Sequence, residues 1–437
     1  LAGEIARAPQ DIFTMLNNAD LKFPFIKDED GQEVELTKER YISFLESKDR
    51  RVREDAYNAL YSVYRKYQNT FASTLSNNIK KDIFFARARN YNSNIESYLS
   101  EDNVSVEVYD NLIKTVENNL HLLHRYVDIR RKVLGLEKLC MYDIYVPLVK
   151  EPTKNIEYSD AYSLVVESLS VLGEDYVEHL KEAYESGWID VFENQGKTGG
   201  AYSWGSYLTH PYVLLNYQGT LKDVFTIAHE MGHAMHTYYT NKTQPYVYSE
   251  YKIFVAEVAS TLNELLFTDY MLKNTKSKEE KAYLLNSLLE EFRGTLFRQT
   301  MFAEFEKIIH NMAENGQALT AHTLCDIYAG LNRKYFGENV IVDDKIAMEW
   351  ARIPHFYTSF YVYKYATGLS AAVALSESIL KEGESAVKRY IEFLSSGDSD
   401  YPVELLKKAG VDLTTPAPVE GALKKFGSIL DEFESLL

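Results

Sequence analysis

His229-Glu230-Met231-Gly232-His233 is the arrangement in this sequence best suited to chemistry. On a helix, residues four apart stand about one turn above each other, so both imidazoles can reach a single metal ion. Zinc accepts neutral histidine nitrogens at ~2.0–2.1 Å, and Glu230, rotated about 100° from His229, can lean over the site to take a proton from water held there. With 10 histidines among 437 residues, such a match would arise by chance roughly 0.02 times. The plainer alternative is a pair of hydrogen-bonded core histidines, but buried His and Glu without partners are costly.

A catalytic zinc usually takes three protein ligands. Glu257 lies in the apolar middle of a second expected helical stretch, Glu250 to Glu264, flanked by Val255, Ala256, Val258 and Ala259. A carboxylate in that setting needs a metal or a capping Arg or Lys. Glu264, two turns further on the same face, is placed to hydrogen-bond a ligand histidine, with Asn263 as an alternative for that job. His236 could be mistaken for a ligand. Three histidines at i, i+4 and i+7 on one rigid helix would span ~10 Å, too far for one tetrahedral ion, so His236 is assigned a supporting role. Tyr239 stands where a metzincin would carry its third histidine. That leaves the class whose third ligand is a distant glutamate, a gluzincin-type core.

The elements that must position these groups read as mostly helix. From Lys48 to about Tyr98 apolar residues return every three or four positions, and Val52, Ala56, Leu60, Val63 and Tyr67 would share a face. Val108 to Val133 repeats the pattern through Leu112, Val116, Leu120, Leu123 and Val127. No Gly or Pro interrupts either stretch, which predicts long packed helices. Thr220 to Tyr238, the segment carrying both histidines, predicts a buried helix. From Ile189 to Tyr217, Gly196, Gly199, Gly200, Gly205 and Pro211 punctuate Tyr-, Val- and Leu-rich runs, which predicts a small β-sheet just before that helix. The texture changes near Leu136, so two lobes are expected, 1–137 and 138–437. Asp28-Glu29-Asp30-Gly31 lacks the remaining ligands of a calcium loop and reads as a solvated turn.

Composition sets outer bounds. The chain carries 64 acidic and 47 basic side chains, a formal charge of −17. That argues against a duplex nucleic-acid partner. No apolar run approaches the ~18 residues of a membrane span. Two cysteines far apart, Cys140 and Cys325, fit free thiols in a reducing cytoplasm better than a disulfide framework. Residue 1 is not Met, so the natural N-terminus is expected to be missing.

His229-Glu230-Met231-Gly232-His233-Ala234-Met235-His236, followed by Phe254-Val255-Ala256-Glu257-Val258-Ala259-Ser260-Thr261, resembles the oligoendopeptidase F family of thimet oligopeptidase-like M3 metallopeptidases. Gly199-Gly200-Ala201-Tyr202-Ser203, Thr209-His210-Pro211-Tyr212 and Ile353-Pro354-His355-Phe356-Tyr357 extend the resemblance over nearly the whole chain. It implies a mainly α protein with two helical lobes flanking a deep substrate channel, and cleavage of short unstructured peptides in the cytoplasm. It implies one zinc ion per chain held by His229, His233 and Glu257, with Glu230 as general base. Family members usually carry a further N-terminal helical segment, so this chain resembles a truncated or shortened relative.

Peptide hydrolysis also wants donors aimed at the carbonyl oxygen, where negative charge develops. The run from His355 to Tyr365 is dense in candidates. If helical, it sets Tyr357, Tyr361 and Lys364 on one stripe and Phe356, Phe360 and Tyr363 on the next; the alternative is an aromatic core stripe. The resemblance favours His355 and Tyr363, with Tyr357 and Tyr361 close behind. Gly199, Gly200, Ala201 and Tyr202 are expected to form an edge strand beside the metal helix, offering backbone groups to an extended peptide, although the same residues could form a turn. The expected reaction is endopeptidase cleavage. The rivals are a carboxypeptidase-like zinc exopeptidase, for which Arg352 could capture a terminal charge, and a non-catalytic helical peptide-binding protein with a structural zinc.

Overall fold

The three- and four-residue apolar spacing folds as expected, with a refinement. In the computed structural model, described over residues 2–152 and 155–437, eighteen α-helices carry most of the chain. The stretch from Lys48 is two helices, Arg50–Lys66 and Gln68–Ala88. Asp49 opens the first by accepting the Arg51 amide. Tyr67 breaks it with φ −112° and ψ 16°. Val52, Ala56, Leu60 and Val63 are buried together, whereas Tyr67, at the break, is exposed and leaves the expected face. The second stretch likewise divides into Val106–Asn118 and Leu120–Val133 at Asn119, with φ −117° and ψ 14°. All five of its expected core residues are buried. These are single-residue breaks without Gly or Pro.

The chain forms two compact units. One comprises 1–101, 117–148 and 297–363; the other comprises 102–116, 149–296 and 364–437. The expected boundary at 137/138 falls inside the 117–148 segment of the first unit. Compactness follows contacts in space, and each unit draws on non-consecutive segments.

In the first unit, Phe25–Lys27 and Glu33–Glu35 form an antiparallel hairpin. Asp28 to Gly31 lies in its turn, where the Asp28 carboxylate accepts the Asp30 and Gln32 amides. Leu139–Cys140 pairs in parallel with Val340–Ile341. The second unit holds a three-stranded sheet with Tyr212–Leu214 central, parallel to Ile189–Asp190 and antiparallel to Tyr202–Trp204. This sheet lies beside the helix Leu221–Thr243. Trp188 packs its ring 5.6 Å from that of Tyr238, and the Ser206 carbonyl accepts from Asn241. Among the described residues no helix is long and apolar enough to cross a membrane. Both cysteines are free thiols.

Candidate metal centre

The helix bearing both histidines begins with a reciprocal cap. The Thr220 hydroxyl accepts the Asp223 amide, and the Asp223 carboxylate accepts the Thr220 amide. The helix runs Leu221–Thr243 and stops before Pro245, which disfavours helix in the residue ahead of it. Its neighbour begins at Ile253 rather than at the expected Glu250 and continues to Asn274. Lys252 is extended there, with ψ 144°, and Tyr251 turns aside to lie flat on His236, ring centroids 3.7 Å apart.

The two helices cross where Gly232 meets Ala259 and Ser260. A Cβ on Gly232 would stand 2.5 Å from the Ser260 Cα and 2.6 Å from the Ala259 carbonyl oxygen, so no other residue fits without shifting backbone. This close approach brings His229, His233 and Glu257 together, with one ligand atom from each lying within 4.8 Å of the others. Glu257 Oε2 is 3.5 Å from Nε2 of both histidines. Tetrahedral ligation at ~2.0–2.1 Å places ligand atoms roughly 3.3–3.4 Å apart. The separations fit an ion of zinc's size.

Glu264 Oε1 accepts from His229 Nδ1 at 3.0 Å, which in the neutral ring leaves Nε2 as the lone-pair nitrogen facing Glu257. The Ser260 hydroxyl, 3.1 Å from Glu257 Oε2, orients that carboxylate. Burial alone would raise the Glu257 carboxyl, but His233, His229 and Ser260 outweigh it and bring it down to about 2. Burial alone would lower His229, but the bond to Glu264 and the charges of Glu264, Glu257 and Glu230 lift it to about 9. The cluster therefore favours a positive charge at its centre. Glu230 is 6% exposed, its Oε2 is buried without a hydrogen bond among the described residues, and burial pushes its carboxyl up. A buried carboxyl with a raised proton affinity beside two imidazoles is a candidate for acid–base work.

Residues 43–425 match peptidase family M3. The chain belongs to that family. It is 52% identical over its whole length to oligopeptidase PepF of Bacillus subtilis, spanning 65% of that protein, and 46% identical to group B oligopeptidase PepB of Streptococcus agalactiae, spanning 72%. The crystal structure of oligoendopeptidase-F from Enterococcus faecium superposes with a TM-score of 0.84 at 42% identity, over 100% of this chain and 73% of that one. M3 is a metallopeptidase family, in keeping with the His/His/Glu cluster.

The remaining expected residues of this M3 chain fall as follows. His236 is buried against Tyr251 and Phe393, burial lowers it to about 3, and its Nδ1 has no partner among the described residues. Of Gly199, Gly200, Ala201 and Tyr202, only Tyr202 is in the edge strand, which is Tyr202–Trp204. Gly200 has φ +84° and bends the chain ahead of it, and its carbonyl accepts from Asn216 at 2.8 Å. Gly200 and Ala201 instead line a cavity of about 360 Å³ with Asn216, Lys222 and Thr226.

His355, Tyr357 and Tyr363 belong to the first unit. The expected continuous helix there is not formed. A 3-10 turn spans Pro354–Tyr357, Phe360 takes φ +55°, and α-helix starts at Tyr363, so the two stripes do not exist as drawn. The Tyr357 hydroxyl shares a hydrogen bond with Thr74 at 2.6 Å, and its ring stacks on Phe13 at 4.1 Å. Tyr357 and Tyr363 are buried, and His355 is half-buried with its ring 5.9 Å from that of Tyr361. Arg352 lies over the Tyr41 ring at 5.0 Å, with the charge of Glu349 adding to its stabilisation.

Ser260 and Gly232 were not singled out by sequence, and neither was Glu291, which burial and the charge of Glu264 push up. The importance of Gly232 and Ser260 depends on where two helices cross. The small residue opposite a ligand helix is the signal that could have pointed to Gly232.

Proposed function

We propose that this chain is the catalytic part of a zinc-dependent endopeptidase that hydrolyses internal bonds of short, unstructured oligopeptides. The observation that carries the reading is the convergence of His229, His233 and Glu257 within 4.8 Å, beside a buried carboxylate on Glu230 whose second oxygen has no partner among the described residues. The family membership and the oligopeptidase names of its relatives support the substrate class.

His229 and His233 would hold the ion through Nε2 and Glu257 through its carboxylate, with Glu264 keeping the His229 tautomer. When bound, the ion supplies Lewis acidity to the scissile carbonyl and lowers the pKa of the attacking water. Glu230 takes the proton from that water onto its carboxylate and returns it to the leaving amine nitrogen. Its raised affinity for a proton suits both transfers. The free edge of Tyr202–Trp204 offers backbone N–H and C=O groups to an extended peptide, and Gly199 to Ala201 lead into it without bulky side chains. His355, which the family resemblance nominates, is the donor we assign to the developing oxyanion. Tyr363, which the resemblance also nominates, is the second donor we assign to it. Two free cysteines suit a cytoplasmic setting.

Glu230→Gln separates the roles. The expected result is retained zinc with turnover reduced at least a hundredfold, whereas Glu257→Ala should lose zinc itself, measured as metal per chain. A metal-loaded E230Q protein that keeps full turnover overturns the base assignment. A peptide blocked at both ends should be cut, which an exopeptidase cannot do.

A further inference from the structure

We propose that Asn263 is a positioning residue for the metal centre, fixing the backbone immediately before His229 while Glu264 holds that residue's imidazole. The proposal rests on the metal-site reading above and adds a residue to it.

Asn263 sits in the middle of Ile253–Asn274 between Leu262 and Leu265, with no exposed surface. An apolar residue would pack there at no polar cost, and a buried amide is expensive unless fully used. Both ends of this amide are used. Its Nδ2 donates to the Ala228 carbonyl on the metal helix at 3.0 Å. Its Oδ1 accepts from the Tyr176 hydroxyl at 3.1 Å, and Tyr176 lies on a third helix, Glu174–Glu185, fully buried. The Ala228 carbonyl settles which way the amide faces, since it can only accept and a flipped Asn263 would turn its own oxygen toward it.

A helical carbonyl has a second lone pair after serving its own helix, and Asn263 occupies the one on Ala228. The peptide so held joins Ala228 to His229. The neighbouring residue, Glu264, grips the His229 ring at Nδ1. Two consecutive residues of one helix thus hold two consecutive residues of the other, one by backbone and one by side chain. The reach is short because Gly232 lets the helices touch. Together the contacts resist rotation and sliding of the metal helix, either of which would displace His229 Nε2 beyond the ~0.2 Å that metal ligation tolerates.

The test uses the whole chain as purified, with zinc affinity measured by chelator competition and the ligand field read from the visible spectrum after Co(II) substitution. Asn263→Leu keeps the branching of the side chain, with somewhat more bulk, and removes both bonds. Tyr176→Phe keeps the Asn263 bond to Ala228 and removes only the donor to its Oδ1. Leu180→Ala, in the Tyr176 helix, lowers stability without touching the amide. The expected result is zinc binding about 10–100-fold weaker in N263L, a smaller loss in Y176F, and an altered Co(II) spectrum in both but not in L180A. Unchanged affinity and spectrum in N263L overturn the proposal, as does an equal spectral change in L180A. If N263L does not fold, an unchanged Y176F overturns it. A parent protein that binds no metal defeats the functional reading instead, so the two failures are distinct.

Discussion

Gly232 and Ser260 mark the contact that builds the centre: a Cβ on the first would lie 2.5 Å from the Cα of the second. The histidines sit on one side of that crossing and Glu257 on the other, so the ligand geometry depends on how closely two backbones approach. Alanine adds one carbon at this point. Because the obstructing atoms are backbone, the helices must part. Gly232→Ala should cost about 1–3 kcal/mol of stability and weaken zinc binding together. Thermal unfolding of the metal-free protein and metal per chain after dialysis check the two effects. A G232A protein as stable and as metal-rich as the parent would show that the crossing has slack.

Bound metal should stabilise this fold, since the cluster gathers Glu257, Glu264 and Glu230 around two imidazoles. A ligand present at a thousand times its dissociation constant adds about 4 kcal/mol. Adding a chelator should therefore lower the unfolding temperature while leaving the far-ultraviolet helix signal at room temperature intact. Collapse of the helix signal on chelation would instead indicate a structural zinc.

How much of this was readable beforehand follows from the physics of each part. The His229–His233 pair and Glu257 are legible because one periodicity stacks two side chains and a carboxylate in an apolar run demands a partner. The partner of Asn263 is not legible. Glu264, not Asn263, takes the His229 ring, and Asn263 reaches a main-chain carbonyl whose position only the crossing determines. The breaks at Tyr67 and Asn119 were missed because their φ and ψ are open to any residue. The aromatic run fails as a helix for a different reason. Phe360 is held in a left-handed conformation by its surroundings, which local propensity does not report.

Tyr357 illustrates the same point from the packing side. Its hydroxyl is engaged by Thr74, whose own oxygen also bonds the Phe71 carbonyl, and its ring lies on Phe13. Tyr357→Phe should cost ~1 kcal/mol, the usual net value of such a bond. The double-mutant cycle with Thr74→Ala should return a coupling of similar size. A coupling of zero would mean that the two hydroxyls are satisfied separately.

Glu306 makes stability depend on pH in a direction opposite to that of most carboxylates. It is 1% exposed; one oxygen accepts the Phe360 amide at 3.0 Å and the other is buried without a hydrogen bond among the described residues. Burial raises its carboxyl well above the ordinary value, the Phe360 amide opposes this, and the charge of Asp82 adds to it. The folded state therefore holds a proton that the unfolded state has released above pH ~4.5. Its contribution is complete below that pH and is lost as pH rises toward the folded value, by up to about 1.4 kcal/mol per pH unit. Gln in its place keeps an oxygen for the Phe360 amide and cannot ionise. Glu306→Gln should match the parent near pH 4.5 and become progressively more stable than it as the medium turns alkaline. Denaturant melts of both proteins at pH 5, 6, 7 and 8 measure the difference. If the two curves stay parallel, Glu306 is ionised in the folded protein and Phe360 is held by a charged carboxylate instead.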